Sequence, residues 1–184
     1  MECQCYHGRR RLEIICAMSK IEPPDLFSLS AAVGWMELGN ATEAWAELEK
    51  VSAENQQQPD VLEVRWMLLA QAQHWDAALE VTQALVHAAP NRSSSWLHHA
   101  YATRRASSGG LQQAWDALLP AHEKFPREAT IAFNLSCYAC QLQQLEEARS
   151  WFHRALKLGG KDEIKAMALG DPDLQPLWAE IREL

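Results

Sequence analysis

The sequence predicts an all-α protein: an α-solenoid of about four helical hairpins, closed by C-terminal capping helices. The main observation is a period. Ala44, Ala78, Ala114 and Ala148 follow one another at 34, 36 and 34 residues, and their surroundings repeat with them. Gly39, Gln73, Gly109 and Gln143 lie five residues before the alanines, and Ala41, Trp75, Leu111 and Leu145 lie three before. Leu48, Thr82, Leu118 and Phe152 lie four after, and Gln56, Pro90, Pro126 and Gly160 lie twelve after, where only the first breaks the proline-or-glycine rule. A period near 34 marks stacked hairpins, because one hairpin cannot bury its apolar face alone. The eight tryptophans fall at least once in every repeat, so they are expected to serve the repeated packing.

The whole chain is consistent with this. Its 184 residues suit one domain with a tail, and 48% hydrophobic with 22% charged residues is enough for a core and a solvated surface. No apolar run approaches the roughly 20 residues of a membrane span. A net charge of −7 argues against a nucleic-acid binder, which needs a basic stripe. The five cysteines are odd in number and unevenly placed, so they form no disulfide framework and point to a reducing, cytoplasmic setting.

Residues 1–20 do not fit the repeat and are expected to form a disordered arm. The patch from Leu12 to Met18 is too short and too interrupted for a signal peptide, and Met18 is a candidate natural start. Pro23–Pro24 open a helix from Asp25 to Leu38, which Gly39–Asn40 end. The return helix is expected from Ala41 to about Ala53. The second repeat starts at Pro59, turns near Gln73–His74 and returns to Pro90. The third opens with a cap of Ser93, Ser94 and Ser95 and turns at Ser107–Gly110, which holds the two extra residues. Pro120 lies inside its return helix and should kink it, at around 3 kcal/mol if nothing compensates. The fourth runs from Thr130 to Leu158 and stops at Gly159–Gly160. Helices at 162–169 and 177–182, separated by Asp171–Pro172, should cover the end of the stack. The repeat boundaries are thus 25–58, 59–92, 93–128 and 129–162 within a region 21–162, with capping helices over 163–184.

The two helices of a hairpin come closest near the turn, which is why a small residue recurs there. A leucine in place of the alanine would overpack the crossing by about 1–3 kcal/mol. The residues three before and four after lie on the same helix face as the alanine.

Together these residues resemble tetratricopeptide (TPR) repeats of the short bacterial type, over roughly residues 25–162. The carriers are a small residue in the first helix (Ala32, Ala100, Ser136), the turn, the alanine and the closing proline. The stretch CQLQQLEEARSWFHRALKLGG is near the family consensus, and Trp75, Asp76 and Ala78 match it in the second repeat. Departures are Arg65 and Trp66, where a leucine and a small residue are usual, the inserted glycine turn, and the proline missing after the first repeat.

The resemblance implies a right-handed superhelix whose concave face, lined by first helices, binds an extended peptide or a partner helix. Carried onto this chain, the groove positions include Val64, Met67, His98, Tyr101, Arg104, Arg105, Phe133 and Asn134, with Leu29, Val33, Met36, Glu63, Gln71, Thr130, Cys137 and Gln141 as further members. A chaperone-type carboxylate clamp is not implied, because its positions hold Leu29, Val33 and Val64 and only Asn134 fits. Arg104 and Arg105 are suited to carboxylates, arginine being a planar fork, although two solvated arginines ending a helix are the plainer reading.

Other chemistry is sparse. Cys137 and Cys140 lack a second ligand pair for zinc and are expected to be buried packing residues. Cys3, Cys5 and His7 have a metal-binding look, in a tract that can also bind metal adventitiously. His98 and His99 point apart on a helix, His98 to the groove and His99 to the packing. No phosphate-binding glycine loop, serine elbow or H-E-x-x-H helix occurs, so no enzyme and no cofactor are expected. The reading is a non-enzymatic protein-protein interaction module, an adaptor, scaffold or chaperone-like protein with a protein or peptide partner. The alternatives are a self-assembling homo-oligomer and a metal-responsive protein acting through the N-terminal Cys/His tract.

Overall fold

The computed structural model describes residues 21–184; the expected arm over residues 1–20 and the Cys3–Cys5–His7 tract lie outside them. Four helical hairpins follow in order. They are α1 (Asp25–Glu37) with α2 (Ala41–Glu49), α3 (Pro59–Gln71) with α4 (Trp75–Ala88), α5 (Ser93–Arg105) with α6 (Leu111–Lys124), and α7 (Ala129–Gln141) with α8 (Leu145–Gly159). Then come α9 (Lys161–Gly170), a 3-10 helix (Pro172–Leu177) and α10 (Trp178–Glu183). Each hairpin packs internally, and each second helix packs on the first helix of the next hairpin. The described residues contain no strand.

The periodic residues occupy equivalent places. Ala44, Ala78, Ala114 and Ala148 are all 0% exposed, and Leu48, Thr82, Leu118 and Phe152 are at most 2% exposed. In the fourth hairpin the closeness at the alanine is used directly, since the small Ser136 donates its hydroxyl to the Ala148 carbonyl at 2.8 Å.

Three of the four hairpin turns share one geometry. The N–H groups of Asn40, His74 and Gln144 each donate to a carbonyl five residues back at 2.9 Å. The residue before each has positive φ: Gly39 at +76°, Gln73 at +57° and Gln143 at +63°. This is the Schellman closure, which satisfies the last carbonyls of the first helix. The third turn, two residues longer, closes differently. Gly110 N–H donates to the Thr103 carbonyl at 2.9 Å, and a Cβ on Gly109 would stand 1.8 Å from that same oxygen. Only glycine fits there.

The structure corrects some expectations and adds detail to others. Helix α2 ends at Glu49, not near Ala53, because Asp25 of α1 takes the Ser52 N–H at 3.0 Å, the Ser52 hydroxyl and the Asn55 amide at 2.7 Å. The serines opening α5 do not cap their own helix. Ser93 donates to Glu128 and Ser95 to the Ala89 carbonyl, tying α5 to its neighbours. Helix α6 runs without a break through Pro120. Both Pro120 and Asp116, whose carbonyl loses its helical partner there, are exposed residues on the solvent side of the helix. Trp35 is 37% exposed: it lies on the first helix, where no preceding hairpin covers it among the described residues.

The C-terminal segment does more than cover the end of α8. The 3-10 helix returns to pack on α7, with Leu174 at 0% and Leu177 at 2% exposure. Consequently every residue of α7 from Ile131 to Cys140 is buried.

Candidate functional site: the first-helix face

The first helices α3, α5 and α7 lie side by side, and their groove-type residues meet across the repeats. Glu63 of α3 lies 3.1 Å from His98 Nε2 of α5, and Arg92 at the start of α5 bonds Asp60 at 2.6 Å. His98 is 1% exposed and stacks on Trp66, ring centroids 3.7 Å apart. Trp66 thus fills the space between the second and third hairpins from a position that holds Ala32, Ala100 or Ser136 elsewhere. His99 points the other way, toward Thr82 of α4 at 3.4 Å, and burial lowers its pKa.

The eight groove candidates separate into floor and surface. Val64 and Phe133 are 0% exposed. Val64 belongs to a cluster with Leu29, Val33, Val61 and Leu68, and Phe133 to one with Leu97, Leu174 and Leu177. His98 belongs with these floor residues. The expectation that Val64, His98 and Phe133 meet a ligand directly is therefore corrected: helix-to-helix packing uses up their surface. Asn134 is 9% exposed and its amide donates to the Thr130 carbonyl of its own helix at 2.8 Å. Met67, Tyr101, Arg104 and Arg105 keep accessible surface.

The two arginines differ. Arg104 makes a two-pronged contact with Asp173 of the C-terminal segment, one prong at 3.0 Å. Burial by itself would lower its pKa, but the Asp173 carboxylate more than offsets this and holds the guanidinium above its ordinary value. Gln141 of α7 fixes the same residue by donating to the Asp173 carbonyl at 2.9 Å. The C-terminal segment therefore lies along the first-helix face of the third and fourth hairpins. Arg105 instead stacks over Tyr101 with Cζ 3.5 Å from the ring centroid and reaches Trp75 at 5.3 Å. Among the described residues it donates to the Tyr101 carbonyl at 3.2 Å. Among the described residues it has no carboxylate partner, unlike Arg92, Arg104 and Arg149.

Sequence reasoning missed Asp173. Asp171–Pro172 reads as a separator, yet Leu174, Leu177 and Ile181 recur at intervals of three and four, the signal of a buried helical stripe. Cys137 and Cys140 are buried cysteines, and burial followed by the nearby Asp173 raises the Cys140 pKa to about 11. Among the described residues no group of three or more His, Cys, Asp or Glu stands ready to hold a metal ion. No described helix is long and apolar enough to cross a membrane.

No protein-family model matches the sequence. No curated protein matches it either. Solved structures do. The MamA 41-end chain of Desulfovibrio magneticus RS-1 superposes with a TM-score of 0.63 at 18% identity, covering 71% of this chain and 73% of that one. TTC0263, a thermophilic TPR protein of Thermus thermophilus, gives 0.61 at 22% identity, covering 87% of this chain and 100% of that one. At these identities the likeness speaks for the backbone arrangement and not for the groove side chains. The stacked hairpins, the buried alanine at each crossing and these superpositions together give the chain the tetratricopeptide-repeat fold.

Proposed function

We propose that this protein is a non-enzymatic interaction module, an adaptor or scaffold, that takes an acidic extended peptide or partner helix on the part of its first-helix face not occupied by its own C-terminal segment. The observation that carries this is Arg105. Its guanidinium is held over the Tyr101 ring and near Trp75, half-buried, and no carboxylate among the described residues neutralises it. A stacked arginine loses little freedom when it forks a carboxylate, and Met67, packed against the same apolar cluster as Trp75 and Tyr101, offers an apolar contact. The bond between Arg104 and Asp173 supports the acidic preference, since the same helix already receives a carboxylate from the C-terminal 3-10 helix of this chain. Association is expected in the micromolar range, near −8 kcal/mol, because ordering an extended peptide offsets part of the contact energy. The buried thiols fit a cytoplasmic setting.

The test is affinity capture from the host's lysate by the wild type and by a Tyr101→Ala, Arg105→Glu variant, read by mass spectrometry. A protein retained by the first and lost from the second supports the groove. The same set on both would remove Tyr101 and Arg105 from the binding surface.

A further inference from the structure

The start of the stack presents an interface without an occupant among the described residues. Phe27 and Trp35 of α1 are 67% and 37% exposed, and Leu38 just beyond it is 77% exposed. The positions equivalent to Phe27 in the later repeats are Val61, Ser95 and Ile131, all 0% exposed; those equivalent to Trp35 are Leu69, Thr103 and Ala139, at most 8% exposed. There the second helix of the preceding hairpin covers them. The α1 face therefore continues the series of inter-hairpin interfaces, and Phe27, Trp35 and Leu38 give it an apolar surface instead of the polar outer face of a terminal cap.

We infer that this face binds the same face of a second copy of the chain, as a two-fold antiparallel helix pair. The sequence along the face reads the same from both ends. Phe27, Ala31, Gly34 and Leu38 succeed one another at intervals of four, three and four, so they share one side of the helix in the order large, small, small, large. An antiparallel partner sets Phe27 against the second copy's Leu38 and Ala31 against its Gly34, the reciprocal pairing that a closed two-fold interface requires. The centre can approach closely, since even a Cβ added at Gly34 meets nothing within 4 Å. No charged residue lies on the stripe to oppose its symmetry mate. The other end of the stack is a poor match for it: α9 and α10 close that end and present Lys161, Asp162, Glu163 and Glu180 to solvent.

The area sets the strength. Phe27, Trp35 and Leu38 together expose on the order of 350 Å2, taking about 150–250 Å2 for a large apolar side chain. Two copies bury roughly 700 Å2 through these residues, short of the ~1,200–2,000 Å2 of stable complexes even with flanking atoms added. The dimer is thus weak and reversible. It uses the end of the stack and does not depend on the groove reading.

Sedimentation velocity on the full chain, from low to high micromolar concentration, tests it. The expected result is a concentration-dependent dimer. Phe27→Lys and Leu38→Glu, each alone, weaken it by on the order of tenfold or more. The double variant Phe27→Lys, Leu38→Glu recovers dimer, because each lysine then meets a glutamate of the other copy. Circular dichroism confirms that all three variants stay helical. A monomer at every concentration overturns the proposal, and an unfolding midpoint lowered by Leu38→Glu would then assign the face to residues 1–20 of the same chain. A dimer indifferent to both single substitutions, or a double variant no better than the singles, overturns it as well.

Discussion

Gln73 and Gln143 show how the repeat tolerates local strain. Both close a helical hairpin at positive φ, where Gly39 does the same job in the first turn. A side chain with a Cβ in the left-handed region costs roughly 1–2 kcal/mol, part of which glycine gives back as unfolded-chain entropy. Gln73→Gly should therefore raise stability by about 1 kcal/mol and Gly39→Gln should lower it by a similar amount. Urea midpoints of the two variants, read against the wild type, check the opposite signs. Turn positions were legible in the sequence because the offsets from the alanines are fixed. That two of them carry glutamine was visible too, but the dihedral angle was not. Trp66 shows the same limit: its register is plain along the chain, and only the packing against His98 and Tyr101 shows what a tryptophan does where a small residue is usual.

At the scale of the element, the end of α2 is set by a partner 27 residues away. Asp25 accepts from the Ser52 hydroxyl, the Asn55 amide and the Ser52 N–H, and these bonds, the Ser52 hydroxyl first, hold its pKa below the usual 3.8. A carboxylate with a depressed folded pKa contributes stability that is complete above its unfolded pKa and is lost as pH falls through the folded value. The wild type should accordingly lose part of its stability below about pH 4, and Asp25→Asn should show a flatter profile there together with lower stability at neutral pH. Urea unfolding between about pH 7 and pH 2.5 measures both; parallel profiles for the two proteins would rule out the linkage. Periodicity alone extends α2 to Ala53, because apolar spacing does not register a tertiary hydrogen bond that draws the chain out of the helix.

For the whole molecule, the C-terminal segment decides how much of the first-helix face is open. Arg104 and Gln141, on different first helices, both hold Asp173, while Leu174 and Leu177 bury beside α7. Asp173→Ala leaves Arg104 without its carboxylate in a half-buried place and should cost about 1–3 kcal/mol. Hydrogen exchange should quicken over 171–177 and along α7, with the N-terminal hairpins unchanged. Arg104→Ala should act through the same bond, so the double variant should fall well short of the sum of the singles. Additive effects would show that the pair does not anchor the segment.

The fold was legible in the sequence because it is built from short-range regularities: a small residue at each crossing, a turn five residues before it and an apolar residue four after it. Each repeats, and the repetition separates signal from accident. The candidate site was legible only in part. Groove positions follow from register, but whether such a side chain meets solvent depends on what else lies against it. Val64 and Phe133 are covered by neighbouring apolar residues, Arg104 is taken by an aspartate 69 residues later, and Arg105 is left with two aromatic rings. Helical period and turn chemistry act within a few residues and so can be read along the chain; exposure is a property of the assembled surface, and only the tertiary structure sets it.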